Sequence, residues 1–208
     1  MHDFLQDEAI GANRALQMEE AQRLLGGDGR NADDLYDDED FFANLPVAAR
    51  RGPFSARLML FHESSHLGDD YIRRTLKTGF RYSIDGMRTQ AAYEPFLWLK
   101  VYGGATYLLH TLPSPARRAF QWGFELTSPD LNVSPKLPTS LFLAQDFQSH
   151  ENVQWNVNSR TVAGVRVGSK DVPRYATVQI GYFEGHSPYG QFFHQPEHYL
   201  DLGISLHF

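Results

Sequence analysis

The sequence predicts an all-β protein: an antiparallel up-and-down transmembrane β-barrel preceded by a helix and an acidic linker. Three observations carry that expectation. The chain ends HYLDLGISLHF, which sets Leu200, Leu202, Ile204, Leu206 and Phe208 on one face of a strand and Tyr199, Asp201, Gly203, Ser205 and His207 on the other. Alternation that ends on a C-terminal aromatic residue is the pattern of the last strand of bacterial outer-membrane barrels. Upstream segments repeat the alternation, with charges of both signs on the polar side. No window approaches the run of about 18 apolar residues that a spanning helix needs, which leaves strands as the spanning element. A half-buried strand of a soluble sandwich alternates in the same way, so the content of the polar face has to separate the two.

Composition bounds the reading without deciding it. The 208 residues fit one domain, and 42% hydrophobic with 21% charged residues suits a soluble domain or a small barrel equally. A formal charge of -6 and the lack of a Lys/Arg-rich stripe argue against a nucleic-acid partner. The absence of cysteine excludes disulfides, zinc-thiolate sites and cysteine nucleophiles. No cofactor is expected. The start, MHDFLQDEAIGANRALQMEEAQRLL, lacks a basic region followed by an apolar one, so it is not a secretory signal. A bacterial outer-membrane location then implies a chain that is missing its export signal and some preceding sequence.

Residues 1–40 read as a helix and an acidic linker. Phe4, Ala9, Ala12, Ala15, Leu16, Ala21, Leu24 and Leu25 form a weak helical stripe, which GGDGRNADDLYDDED interrupts. From Phe41 the period changes to two, and residues 41–208 read as the barrel. Strands are expected at 41–50 (weakened by Pro46), 54–66, 80–93, 96–109, 118–127, 139–149, 153–168, 174–184 and 198–208, about eight or nine in all. In 96–109, Leu97, Leu99, Val101, Ala105, Tyr107 and Leu109 oppose Trp98, Lys100, Tyr102 and Thr106. In 118–127, Phe120, Trp122, Phe124 and Leu126 oppose Gln121, Gly123, Glu125 and Thr127. In 153–168, Trp155, Val157, Ala163, Val165 and Val167 oppose Asn156, Asn158, Arg160, Gly164 and Arg166. In 174–184, Val178, Ile180 and Tyr182 oppose Thr177, Gln179 and Gly181. Turn-rich connectors such as RRGP, LPSPARR and EGHSPYGQFFHQPE punctuate them.

The polar faces collect Arg57, Glu63, Lys100, Glu125, Asp146, Arg160, Arg166 and Asp201. In a narrow barrel these charges meet and compensate in the lumen. Trp98, Trp122, Trp155, Tyr107, Tyr182 and Tyr189 fall near strand ends, as an aromatic girdle would. With the C-terminus periplasmic, strand 54–66 runs outward and ends at the cell surface.

That strand, FSARLMLFHESSH, carries the candidate chemistry. Leu58, Leu60, His62, Ser64 and His66 share one face, opposite Arg57, Met59, Phe61 and Glu63. His62 and Ser64 therefore continue the leucine face, where a polar pair is costly unless hydrogen-bonded or used. Cα atoms two apart on a strand lie about 6.5–7 Å apart, close enough for an imidazole to reach a hydroxyl. A serine oxygen needs a base to take its proton, and a third polar group fixes the tautomer of that base. A hairpin with 80–93 sets Asp85 near His62 as that orienting group, and a slip of one residue would turn it away. Ser65, His66, Asp69, Asp70, Tyr189 and Phe192 are candidate binding residues. A polar strand end running into an exposed loop remains the plainer alternative for HESSHLGDD. A metal held by His62, His66, Glu63, Asp69 and Asp70 matches no established ligand spacing, so no metal site is assigned.

RRGPFSARLMLFHESSHLGDDYIRR and GYFEGHSPYGQFFHQPEHYLDLGISLHF, with the strand order between them, resemble the C-terminal part of a bacterial family of predicted outer-membrane β-barrels of unknown function. The runs SSHLGD, Ser64 to Asp69, and SPYGQF, Ser187 to Phe192, carry the resemblance most distinctively over residues 41–208. It implies additional strands ahead of this region, so closure of the barrel by this chain alone is open. His-x-Ser on an outward strand face is also distantly similar to outer-membrane phospholipase A and lipid A deacylase. Their third member is an Asn or Glu on the next strand, which the stretch around Leu76 and Lys77 does not supply.

Two functions follow as expectations. One is a serine acyl-ester hydrolase acting on outer-leaflet lipid, with Ser64 as nucleophile, His62 as base and Asp85 as its orienter. The other is a non-enzymatic barrel that binds a surface partner through the aromatic loop 184–197. A soluble lipocalin-like barrel is a third option and requires an apolar interior. Outer-membrane lipid, and the barrel-assembly machinery acting on Phe208, are the expected partners.

Overall fold

The computed structural model describes residues 38–133, 137–168 and 175–207. The helix expected within 1–40 and the terminal Phe208 lie outside these residues, except that the first strand begins inside the expected linker, at Asp38. Nine antiparallel strands follow in order: β1 (Asp38–Arg51), β2 (Phe54–Leu67), β3 (Tyr82–Phe96), β4 (Leu99–Leu112), β5 (Arg118–Thr127), β6 (Thr139–His150), β7 (Val157–Val167), β8 (Tyr175–His186) and β9 (Pro196–His207). Each strand pairs with its sequence neighbours, giving an up-and-down sheet in the order β1 to β9. Among the described residues β1 pairs only with β2 and β9 only with β8, so the wall is not closed.

Local chemistry accounts for the elements. In β1, Pro46 lacks a ladder donor, which an edge strand tolerates. Arg51 pairs with Phe54 across a two-residue turn, and Gly52 takes the positive φ of 59° that a tight hairpin asks of its first central residue. The expected strand 153–168 instead starts at Val157, because Glu151–Val153 forms a single 3₁₀ turn ahead of it. The segment after β2 contains a short helix, α1 (Asp69–Thr75), too short for a period-3.6 stripe to show in the sequence. Arg73 and Arg74 in its last turn suit its negative end.

The sheet is curled. β2 and β8 are six strands apart, which in a flat sheet is about 29 Å at about 4.8 Å per strand. Yet Gln191, five residues beyond the end of β8, donates from Nε2 to the Ser65 carbonyl of β2 at 2.8 Å. Gly190, four residues beyond β8, packs on Ser65 itself, and four residues span at most about 14 Å, so the strands between must bend toward a cylinder.

The faces are distributed inside out relative to a soluble domain. Leu200, Leu202, Ile204 and Leu206 are 63–83% exposed, and Leu45, Val47, Leu58, Leu60, Val178 and Ile180 lie on the same outer face. Glu63 and Arg166, by contrast, are 6% and 7% exposed on the inner face. Arg57, Lys100, Glu125, Asp146, Arg160 and Asp201 also point inward. Several of them pair there: Lys100 Nζ meets Glu125 Oε1 at 2.9 Å, and Arg160 Nη2 meets Asp201 Oδ2 at 2.8 Å. Tyr102 Oη and Gln121 Nε2 both donate to Asp146 Oδ1, at 2.7 and 2.9 Å. Gly181 leaves room for one of these pairs, because a Cβ there would stand 2.6 Å from Asp201 Oδ2 and 2.7 Å from Arg160 Nη2. A lipocalin-like barrel needs the opposite arrangement. Among the described residues no helix is long and apolar enough to cross a membrane, which leaves β-strand crossing open.

Candidate functional site

The alternation of β2 sends Met59, Phe61, Glu63 and Ser65 inward, all buried, and leaves Leu58, Leu60, His62, Ser64 and His66 outward. Directly opposed residues of antiparallel strands share a face, so the β2–β3 register fixes what stands beside this row. It pairs Leu58 with Thr89, Leu60 with Met87, His62 with Asp85, and Ser64 with Ser83. Toward β1, His62 faces Ala43 and Ser64 faces Phe41. A half-exposed polar row therefore sits at the C-terminal end of β2, continuing a leucine-rich face.

Asp85 is where the hairpin register places it. Its Oδ1 lies 2.8 Å from His62 Nδ1, with the two side chains 47% and 44% exposed. A carboxylate here accepts a hydrogen bond from Nδ1–H, which keeps the ring proton on Nδ1 and leaves Nε2 as the basic nitrogen. Ser64 is the next residue on the same face. Among the described residues no hydrogen bond joins its hydroxyl to His62. Such contacts are commonly loose before substrate binds.

The candidate binding residues divide into two groups. His66 stays on the outer face, edge-on to Phe41 with ring centroids 6.3 Å apart. Asp69 and Asp70 open α1. Ser65, Tyr189 and Phe192 belong to a different structure, a latch between the β8–β9 connection and β2. Ser65 is fully buried inside the wall, where Gly190 packs against it: a Cβ at residue 190 would stand 2.5 Å from Ser65 Cβ. Gln191 Nε2 donates to the carbonyls of Ser65 and Phe80, at 2.8 and 2.9 Å, and its Oε1 accepts the Phe80 N–H at 3.3 Å. Phe192 lies edge-on to Tyr71 at 5.6 Å, and Phe193 lies 6.3 Å from both Phe80 and Tyr82. The Tyr189 N–H donates to Ser187 Oγ at 3.4 Å. The two runs SSHLGD and SPYGQF are thus in contact, although 126 residues separate Ser65 from Gln191.

Sequence reasoning missed two residues at this end of the wall. Gln191 was hidden by the aromatic content of its own loop, SPYGQF. His110 was hidden by periodicity: even-numbered β4 residues near it, such as Thr106 and Leu108, face inward, yet His110 is exposed and pairs with Asp85. Its only sequence signal is a histidine near the end of an alternating strand.

Comparison with known proteins gives one result. A family model described as "Protein of unknown function (DUF1207)" matches residues 29–208. No curated protein and no solved structure matches significantly.

Proposed function

Because this chain belongs to the DUF1207 family of proteins of unknown function, its role has to be argued from its own geometry, and we propose that it forms a β-barrel wall in the bacterial outer membrane whose outer face hydrolyses acyl esters of lipid. The observation that carries the reading is the His62–Asp85 pair at 2.8 Å on the apolar, outward face of the wall, with Ser64 next on that face. The greasy exterior supports the location. Strand after strand exposes large apolar side chains on that face, whereas monomeric soluble proteins rarely expose more than small apolar patches. Hydrocarbon needs such a face and also needs the ionic groups to be paired inside.

In the proposed reaction, Ser64 Oγ attacks the ester carbonyl carbon while His62 Nε2 takes its proton. The carbonyl–oxygen bond to the alcohol breaks, and His62 returns the proton to the leaving oxygen. Water, deprotonated by His62, then attacks the acyl carbon, the bond to Ser64 Oγ breaks as His62 returns the proton to that oxygen, and a fatty acid leaves. Asp85 holds the ring and stabilises its charge throughout. The leucine row below Ser64 suits an acyl chain by hydrophobic contact. Phe208 is the residue through which assembly machinery would engage the last strand.

The test is fatty-acid release by the full-length protein reconstituted in lipid. Wild type should release fatty acid and Ser64→Ala should fall to background; equal rates would remove Ser64 as nucleophile. A purely partner-binding role for loop 184–197 has less support, since the rings of Phe192 and Phe193 pack against Tyr71, Phe80 and Tyr82.

A further inference from the structure

The β3–β4 ladder breaks step beside Asp85. It pairs Gly86 with Leu108 and then Asp85 with His110, so Leu109 is an extra residue on β4. Such bulges re-aim side chains and concentrate next to functional sites. Without this one, Leu109 would oppose Asp85 and His110 would turn to the inner face. With it, His62, Asp85 and His110 form one outward row across β2, β3 and β4.

Several contacts hold the shift in place. Arg117 Nη1 donates to the carbonyls of Leu108 and Leu109, at 3.0 and 2.7 Å. The Arg117 carbonyl accepts the Leu108 N–H at 2.8 Å. Gly86 has no side chain where a Cβ would meet the Phe61 ring at 2.7 Å and the Leu108 side chain at 2.9 Å. Backbone, cation and glycine all favour a register whose outward consequence is a histidine facing Asp85.

We propose that His110 is a positioning residue, which hydrogen-bonds the second oxygen of Asp85 while His62 holds the first. The inference rests on the acyl-hydrolase reading for its purpose and on the bulge for its geometry. Opposed residues in an antiparallel pair have Cβ atoms about 4.5–5.5 Å apart, so rotation of the His110 side chain brings its ring to Oδ2. A carboxylate with one anchored oxygen can swing away from the imidazole it orients, and a second donor stops that rotation. On an apolar wall a second donor also offsets the cost of an under-solvated carboxylate.

The experiment uses the full-length protein in detergent micelles, with fatty-acid release and ¹⁵N spectra of labelled imidazoles read in parallel. His110→Ala should lower kcat about tenfold, comparable to the lower end of what losing an outer hydrogen-bond partner of a metal ligand costs, while KM changes by less than about twofold. His110→Gln, which keeps a donor, should recover most of the loss. In an Asp85→Asn background, His110→Ala should cost nothing further, and in the wild-type background it should move the His62 Nδ1 signal. An unchanged kcat in His110→Ala, an equal further loss in the Asp85→Asn background, or an unmoved His62 signal would each overturn the proposal. If wild type releases no fatty acid and His110→Ala still moves the His62 signal, the contact stands and only the hydrolase reading falls.

Discussion

Replacing Leu202 by arginine tests the greasy exterior most directly. Leu202 sits near the middle of β9, on the outer face, and is 83% exposed. If water bathed that face, a long cation there would be nearly neutral, because substitutions at well-exposed positions usually stay within about 0.5 kcal/mol. If hydrocarbon bathes it, an arginine at mid-wall costs about 2–4 kcal/mol, which lowers the folding equilibrium constant by roughly 30- to 900-fold. The environments therefore differ by several times the error of a denaturation experiment. The assay is urea unfolding of the protein refolded into phospholipid vesicles, with Gln195→Arg in the exposed β8–β9 connection as the control for added charge. Leu202→Arg should be strongly destabilised and Gln195→Arg unchanged. Equal stability of Leu202→Arg and wild type in vesicles would refute the lipid-facing assignment.

Two other consequences are accessible. Gln191→Ala removes the hydrogen bonds to the Ser65 carbonyl and to the Phe80 carbonyl and N–H at a largely buried site, a loss of about 2 kcal/mol. Exchange of the Phe80 amide should then accelerate about 30-fold, and an unchanged rate would mean that the latch holds without the glutamine. In the β5–β6 connection, the Asp130 carboxylate accepts the backbone N–H groups of Asn132 and Thr139 at 2.9 and 3.1 Å. The Thr139 bond and then the Asn132 bond hold its carboxyl below the ordinary value of 3.8. Because the folded value is the lower one, this turn order is fully present above 3.8 and is lost as pH falls through the folded value. Amide shifts of Asn132 and Thr139 should move together only in that acidic range, and the transition should vanish in Asp130→Asn.

The strands were legible because their signal is local. A side chain's face depends on its own residue number modulo two, so Leu200 through Leu206 and the Arg57–Glu63 face could be assigned without knowing any neighbour. Asp85 opposite His62 was legible one step further, because a short antiparallel hairpin fixes its own register. What the aromatic residues of loop 184–197 touch was not legible: Phe192 and Phe193 meet the rings of Tyr71, Phe80 and Tyr82, more than a hundred residues away in sequence.

By itself, then, the sequence determined which side of each strand is apolar and where most strands begin and end, since alternation and turn chemistry act over a few residues. Only the tertiary structure decided how the strands meet. It brought Gln191 onto Ser65, let a bulge at Leu109 carry His110 to the face of Asp85, and left β1 and β9 as edges of a curled, unclosed wall. Those features depend on cross-strand register and chain curvature, which are set by the sum of many pairings and are not written in any single segment.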